Sequence, residues 1–337
     1  MPRFLTAFLI LGAAAPLSAR ENDAETEWRY FGADRAFTRY SPLEQIDEDN
    51  VSKLAVVWRR PSVPAKLKET YPDLKVSGNF RSTPIFVDGV LYAPNGVGLL
   101  AAIHPGTGET IWEQEPFAPN IDEAAGQSPR GIDIWRDGDH LRLILTRGEY
   151  LYAVDAKTGK LVPGFGQGGR VSLHWDPPLA GLFNWTAGPI VVSDVVVVAG
   201  ITGGAGDGGV KREATPEDVR GFDVRTGKLL WTFHVVPPPG EEGNETWGEE
   251  SWKFSGDLGS WCCVSADEDL GYVYVPLSAP TAAYYGGHRP GDNLYSNSLV
   301  ALEAKTGKKV WHFQMVHHDV WEYDTVGPAT LGDITVD

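Results

Sequence analysis

Two histidines and an aspartate follow one another directly near the C-terminal end of the sequence, at His317, His318 and Asp319. Imidazole nitrogens and carboxylate oxygens are ligands that zinc accepts, so this triplet has to be considered as a metal site. Adjacent residues of a strand point to opposite faces of a sheet, so two imidazoles placed there could not both reach one ion. We therefore interpret the triplet as a polar cluster and not as a zinc site.

A second candidate is the pair of adjacent cysteines, Cys262 and Cys263, which directly follows Trp261. These are the only two cysteines of the chain, so no disulfide framework holds the fold together. In an oxidising compartment, neighbouring cysteines can close a small disulfide ring at the cost of a distorted peptide bond. The residues leave two alternatives open: such a ring, or two buried thiols.

The composition limits what kind of fold can position these groups. The chain has 337 residues, with 45 acidic against 29 basic side chains and a net charge of −16. Nucleic-acid-binding proteins normally carry a basic face, so this acidic balance argues against a nucleic-acid partner. The 39 glycines, 24 prolines and 12 tryptophans are typical of a turn-rich, all-β protein.

The N-terminal residues 1–19 have the pattern of a signal peptide. Arg3 supplies a basic start, residues 4–14 form an apolar run, and residues 17–19 end in a small-residue cleavage site. The apolar run is short for a transmembrane helix, which disfavours the alternative of an uncleaved anchor. We therefore predict an exported, periplasmic protein whose mature domain covers residues 20–337.

The strongest organisational signal is an internal repeat built around a Thr-Gly turn, in residues 102–112, 153–161, 221–231 and 301–311. Each copy has a polar residue, then Thr-Gly, then apolar residues, and three copies end in tryptophan. Such hairpins with tryptophan at one register indicate a β-propeller and disfavour a β-sandwich. The turns are more widely spaced than the ~40–50 residues of a minimal blade, which predicts about four to five blades.

Longer motifs carry a family resemblance, in residues 79–84, 147–152, 284–293 and 311–324. With them, the sequence resembles the PQQ-dependent (quinoprotein) dehydrogenases from about Trp28 to the C-terminus, and the glucose and polyol dehydrogenases more than the methanol dehydrogenases. The resemblance implies an all-β, eight-bladed propeller of tryptophan-docking repeats. It also implies that this chain is the N-terminal half of one, an incomplete propeller whose missing blades a second chain could supply.

The resemblance assigns a set of residues to the cofactor PQQ. Trp261 matches the tryptophan that stacks under the quinone, with a docking tryptophan of the propeller wall as the alternative. Arg130 matches an arginine near the quinone carboxylates, with a surface arginine as the alternative, and Thr186 matches a hydroxyl contact. Cys262 and Cys263 are either a substitute for the ring that alcohol-oxidising relatives place on the other face of PQQ, or plain thiols.

The resemblance also assigns the catalytic base and the metal. Glu322 stands where relatives have the aspartate that removes the substrate proton, and Glu322 and Asp324 would flank a Ca²⁺ or lanthanide ion. Ala279 replaces a metal-binding asparagine, and Ca²⁺ takes six to eight oxygen ligands. Together with Arg81, which replaces an acidic residue, these departures predict a divergent or weakened site, and Glu217 or Asp218 is the candidate for a further ligand.

The resulting hypothesis is a PQQ-dependent oxidoreductase acting on the hydroxyl group of an alcohol, polyol or sugar. The resemblance implies that electrons pass on to ubiquinone or a cytochrome c. The alternative is a non-catalytic PQQ-repeat propeller that serves as a scaffold or assembly protein in the periplasm. Retention of the His-His-Asp segment and of the Arg-Pro-Gly-Asp-Asn loop at 289–293 favours the enzyme.

Overall fold

The structure is a computed structural model that describes residues 26–72, 74, 76, 81–116, 130–174, 187–199 and 211–335. Within these residues, sixteen strands form four antiparallel sheets of four strands each. Residues 1–19, which carry the predicted signal peptide, lie outside the described residues. No helix in the described part of the chain is long and apolar enough to cross a bilayer.

Each sheet consists of four strands that are consecutive in the sequence and pair in that order. The first sheet contains β1 (Ile85–Val87), β2 (Val90–Pro94), β3 (Leu100–Ile103) and β4 (Thr110–Glu113). The second contains β5 (Asp133–Asp137), β6 (His140–Arg147), β7 (Tyr150–Asp155) and β8 (Arg170–Ser172). The third contains β9 (Ile190–Val192), β10 (Val195–Val198), β11 (Val219–Asp223) and β12 (Leu229–Phe233), and the fourth contains β13 (Ser265–Asp267), β14 (Tyr272–Pro276), β15 (Ser298–Glu303) and β16 (Lys309–Gln314).

Short helices lie before the first sheet, between the third and fourth sheets, and between β14 and β15. Helix α1 spans Ala65–Thr70, and single 3₁₀ segments span Val51–Lys53, Asn244–Thr246, Gly248–Lys253 and Gly286–His288. A chain of successive four-stranded meanders with so little helix is the architecture of a β-propeller. The predicted all-β propeller is confirmed, with four blades described.

The Thr-Gly turns form as the sequence predicts. In the second sheet, Asp155 Oδ1 accepts hydrogen bonds from the amide nitrogen and hydroxyl of Thr158 at 2.8 and 2.6 Å, and Asp223 does the same for Thr226. The glycine after each threonine has a φ of 71–73°, which a residue with a Cβ adopts only under strain. The turns therefore depend on these two residue types.

Tryptophans of the outer strands join one sheet to the next. Trp112 of β4 donates its Nε1 hydrogen to the Ala156 carbonyl at 2.9 Å, and Trp231 of β12 does the same to Ala304 at 2.9 Å. Each indole lies over the turn glycine of the following sheet, where an added Cβ would come within 2.5 Å of the ring. Ahead of the first sheet, Trp58 contacts Pro105 in the same way.

The hydrophobic core lies between successive sheets and not in one central mass. One cluster contains Leu100 and Leu143 from the first two sheets, and a second contains Ile144 and Val196 from the second and third. The largest cluster contains Val197 and Val300 from the third and fourth sheets. This packing fixes neighbouring blades relative to one another and so positions the loops that connect them.

Candidate functional site

Three of the predicted site residues come together at the ends of different sheets. Trp261 lies between β12 and β13, Arg130 precedes β5, and Asp324 follows β16. The indole Nε1 of Trp261 donates to Asp324 Oδ1 at 3.3 Å, and the guanidinium carbon of Arg130 lies 5.0 Å from the centre of the Trp261 ring. The blade packing thus places a flat aromatic surface between a cation and a carboxylate.

The positive side of this site contains two arginines. Burial and the charge of Arg81 both lower the pKa of Arg130. Arg130 Nε is buried and has no hydrogen-bond partner among the described residues. Among those same residues, neither arginine has a carboxylate within salt-bridge distance. An anionic ligand would stabilise these two neighbouring positive charges. A guanidinium binds carboxylates through parallel hydrogen bonds, and Arg130 Nε is a donor that such a ligand could use.

The negative side contains three carboxylates. Burial, Glu322 and Asp319 raise the pKa of Asp324, while the hydrogen bond from Trp261 lowers it. Burial, together with the charges of Glu322 and Asp324, raises the pKa of Asp257 to about 7. Asp257 was missed in the sequence analysis, because no motif or spacing connects it with residues more than sixty positions later.

Tyr284 is a second residue that the sequence analysis missed. The neighbouring Glu322 carboxylate raises the pKa of its phenol. The tyrosine itself is 62% exposed, as are large parts of Tyr285, Trp321 and Tyr323 in the same two loops. Glu322 therefore lies at an aromatic-rich edge of the site that is open to solvent.

The His-His-Asp triplet has a different setting from the one we expected. Strand β16 ends at Gln314, so the premise that His317 and His318 lie on a strand is wrong, and both belong to the following loop. His318 Nδ1 lies 2.8 Å from the Gly291 carbonyl oxygen, and His317 is exposed, 3.8 Å from Asp292. Asp319 is buried.

The residues considered as metal ligands are only partly brought together. Glu322 and Asp324 interact with Asp257, as described above. Ala279 is buried, the fully buried Glu217 accepts a hydrogen bond from the Gly259 amide at 2.9 Å, and Asp218 accepts one from Val235 at 2.9 Å. Across residues 26–335 as far as they are described, no three His, Cys, Asp or Glu side chains are arranged to hold a metal ion.

The cysteine pair takes the first of its two alternatives. Cys262 and Cys263 are joined by a disulfide bond directly after Trp261. Cys263 is buried in the core between the third and fourth sheets, and Cys262 is half-buried beside it. Ser260 fixes the segment from the other side, donating its hydroxyl to the Cys263 carbonyl at 3.2 Å. Thr186, the remaining predicted cofactor contact, lies outside the described residues.

Comparisons with known proteins agree with this fold. Residues 28–337 match the family model "PQQ: Glucose/ethanol/alcohol dehydrogenase, beta-propeller domain". The chain is 30% identical to the quinoprotein glucose dehydrogenase of Escherichia coli and 33% identical to the glycerol dehydrogenase large subunit of Gluconobacter oxydans. These alignments cover 96% and 92% of this chain but only 41% and 42% of the relatives, so the chain spans less than half of their length.

Solved structures show the same relation. A quinohemoprotein alcohol dehydrogenase from Pseudomonas putida superposes with a TM-score of 0.69 at 28% identity, over 90% of this chain and 42% of the other. A europium-containing methanol dehydrogenase superposes with a TM-score of 0.68 at 25% identity, over 93% of this chain and 53% of the other. The four described blades thus superpose on about half of each of these structures, which is close to the share of the relatives that the sequence alignments cover.

Proposed function

Because the chain belongs to the family of PQQ-dependent glucose, ethanol and alcohol dehydrogenases, we propose that it binds PQQ and oxidises the hydroxyl group of an alcohol, polyol or sugar. The substrate class is taken from the relatives, which are dehydrogenases of glucose, glycerol and alcohols. The chain covers less than half of those relatives, so the activity of the whole enzyme is part of this proposal.

The observation that carries the proposal is the combination of Trp261, Arg130 and Arg81. PQQ is a planar quinone with several carboxylates, so it needs an aromatic surface to stack on and cations for its acidic groups. The indole of Trp261 provides such a surface, and the buried Arg130 Nε is a donor with no partner among the described residues. We assign Thr186 and the disulfide of Cys262 and Cys263 to the same pocket.

Glu322 is the proposed general base. PQQ, when bound, supplies an acceptor for two electrons. The carboxylate of Glu322 takes up the proton of the substrate hydroxyl at its own oxygen, and the phenol of Tyr284 lies beside that carboxylate. The exposed side of Glu322 supports this role, because the substrate must approach from solvent.

A Ca²⁺ or lanthanide ion completes the proposal, held by Glu322 and Asp324. Besides burial, repulsion from Glu322 and Asp324 raises the pKa of Asp257, and a bound cation would relieve that repulsion. Hard cations of this kind take oxygen ligands. The cation would stabilise negative charge next to the pocket, which is the chemistry it would supply.

The remaining parts of the proposal concern the surroundings of the enzyme. We propose that residues 1–19 are a signal peptide and that residues 20–337 form an incomplete propeller domain in the periplasm. Ubiquinone or a cytochrome c would take up the electrons, and a second chain would supply further blades.

A titration of the protein with PQQ, followed by tryptophan fluorescence with and without Ca²⁺, tests the proposal. We expect saturable quenching that Ca²⁺ strengthens, that Trp261→Ala abolishes, and that the control Trp311→Ala retains. Dye reduction with a panel of alcohols, polyols and sugars should then be lost in Glu322→Gln. A folded protein that shows no quenching at any cation concentration would contradict PQQ binding by this chain, and the scaffold alternative would then be favoured.

A further inference from the structure

The buried carboxylate of Asp319 organises the loop that carries Glu322 and Asp324. Its Oδ1 accepts a hydrogen bond from the Trp321 amide at 2.8 Å, and its Oδ2 accepts one from the Tyr323 amide at 3.0 Å. Oδ2 accepts a further bond from Asn297 Nδ2 at 2.9 Å. Side-chain acceptors that bind amides two and four residues later hold a tight turn in one conformation.

The main chain of Asp319 is fixed as well. The fully buried Arg289 donates one guanidinium hydrogen to the Asp319 carbonyl. Other hydrogens of the same guanidinium go to Asn293 Oδ1 at 2.8 Å and to the Thr281 carbonyl at 3.1 Å. The loop after β16 is thereby attached to residues 281–293, the segment that also contains Tyr284.

The residues that these bonds hold are in an unfavourable backbone conformation. Glu322 has a φ of 55° and Asp324 a φ of 46°, a left-handed region that residues with a Cβ rarely adopt. Tyr323, whose amide is bound by Asp319, lies directly between them. Strain of this kind persists only where the surrounding structure enforces it, and it concentrates at functional sites.

We propose that Asp319 is a positioning residue that sets the direction of the Glu322 and Asp324 carboxylates. It does not contact the reacting atoms and acts only through the loop backbone. This inference rests on the proposed function for its catalytic consequence. Its structural part, the control of the loop conformation, stands without that function.

The structural part is tested by amide hydrogen exchange in Asp319→Asn, with Asp292→Asn as the matched control. Asp292 is an exposed carboxylate next to the same loop, so the control removes an equal charge. We expect exchange at Trp321 and Tyr323 to become at least about tenfold faster in Asp319→Asn and to stay unchanged in the control, because only Asp319 accepts from these amides. Unchanged exchange in Asp319→Asn would overturn the inference.

The catalytic part is tested by steady-state kinetics of the PQQ-loaded protein. A displacement of about 1 Å in a reacting group lowers turnover about 100-fold, so kcat should fall to that degree while KM and PQQ affinity stay within about threefold. If the wild-type protein turns over and Asp319→Asn matches it, the inference fails and the proposed function stands. If the wild-type protein is inactive, the proposed function fails. Amide hydrogen exchange at Trp321 and Tyr323 then tests the structural role of Asp319 by itself.

A second variant covers the case in which Asp319→Asn does not fold. Asn297→Gly removes only the Asn297 hydrogen bond, and glycine accepts the φ of 45° at that position. We expect the same changes in exchange and kcat, in the same direction and smaller. Wild-type exchange at Trp321 and Tyr323 in this folded variant would count against the inference.

Discussion

Asp257 shows how strongly a single side chain can depend on its neighbours in this site. Burial is the main cause that raises its pKa to about 7, and repulsion from Glu322 and Asp324 adds to it. An unfolded aspartate has a pKa near 3.9. In the absence of a cation, Asp257 therefore keeps its proton between about pH 4 and 7 in the folded protein but loses it in the unfolded chain. Protonation of Asp257 thus contributes to the free energy of unfolding at low pH, and this contribution is lost as the pH rises from about 4 to 7.

Asp257→Asn should remove this pH dependence. We expect little change in the free energy of unfolding at pH 4 and a stabilisation of up to about 4 kcal/mol at pH 8, since a shift of one pKa unit is about 1.4 kcal/mol. Urea unfolding across this pH range in cation-free buffer measures it. Asparagine tolerates the positive φ of residue 257, and Asp292→Asn is the control. A stability difference that is the same at both pH values would contradict the prediction.

At the scale of elements, tryptophans at equivalent positions of two outer strands, β12 and β16, differ in how far they are buried. Trp231 on β12 is 9% exposed, because it packs on the turn of the fourth sheet and donates to Ala304. Trp311 has the equivalent place on β16 and is 41% exposed. The contribution of a docking tryptophan to stability therefore depends on the following sheet and not on the strand that carries it.

Trp231→Ala and Trp311→Ala test this difference as a matched pair. Removal of the buried indole of Trp231 should lower the free energy of unfolding by about 3–5 kcal/mol, the usual cost of truncating a core aromatic. Trp311→Ala should lower it by less than about 1 kcal/mol, as is usual for surface substitutions. Urea unfolding followed by circular dichroism gives both values. Equal losses of unfolding free energy in the two variants would show that packing of the tryptophan on the following sheet does not contribute to stability.

The repeats, turns and propeller class could be predicted because their chemistry is local. Thr-Gly after an acidic residue forms the same turn wherever it stands, as Asp155 and Asp223 show. The site could not be predicted in this way. Trp261 and Arg130 were identified only by family resemblance, and Asp257, Tyr284 and the role of Asp319 were missed. Their contacts join loops of different blades, whose relative position follows from packing between sheets and not from local patterns.

At the scale of the whole molecule, the outer strand β16 presents an apolar surface to solvent. Val310, Trp311, Phe313 and Met315 are all more than 40% exposed, and β16 pairs with β15 along only one of its edges. An exposed apolar edge strand favours association with other chains. The net charge of −16 opposes association, because it makes copies of the chain repel one another.

These two effects predict self-association through β16 that depends on ionic strength. Added salt screens the repulsion but leaves the apolar contact intact, so the average mass in sedimentation experiments should rise with protein and salt concentration. Phe313→Lys should prevent this rise, because a lysine on the exposed edge makes pairing costly. Leu229→Lys is the matched control, since Leu229 is 48% exposed on the outer strand of the third sheet, whose neighbouring sheet is present. If both variants associate as the wild type does, the contact lies elsewhere. If only Phe313→Lys stays monomeric, copies of the chain associate through β16.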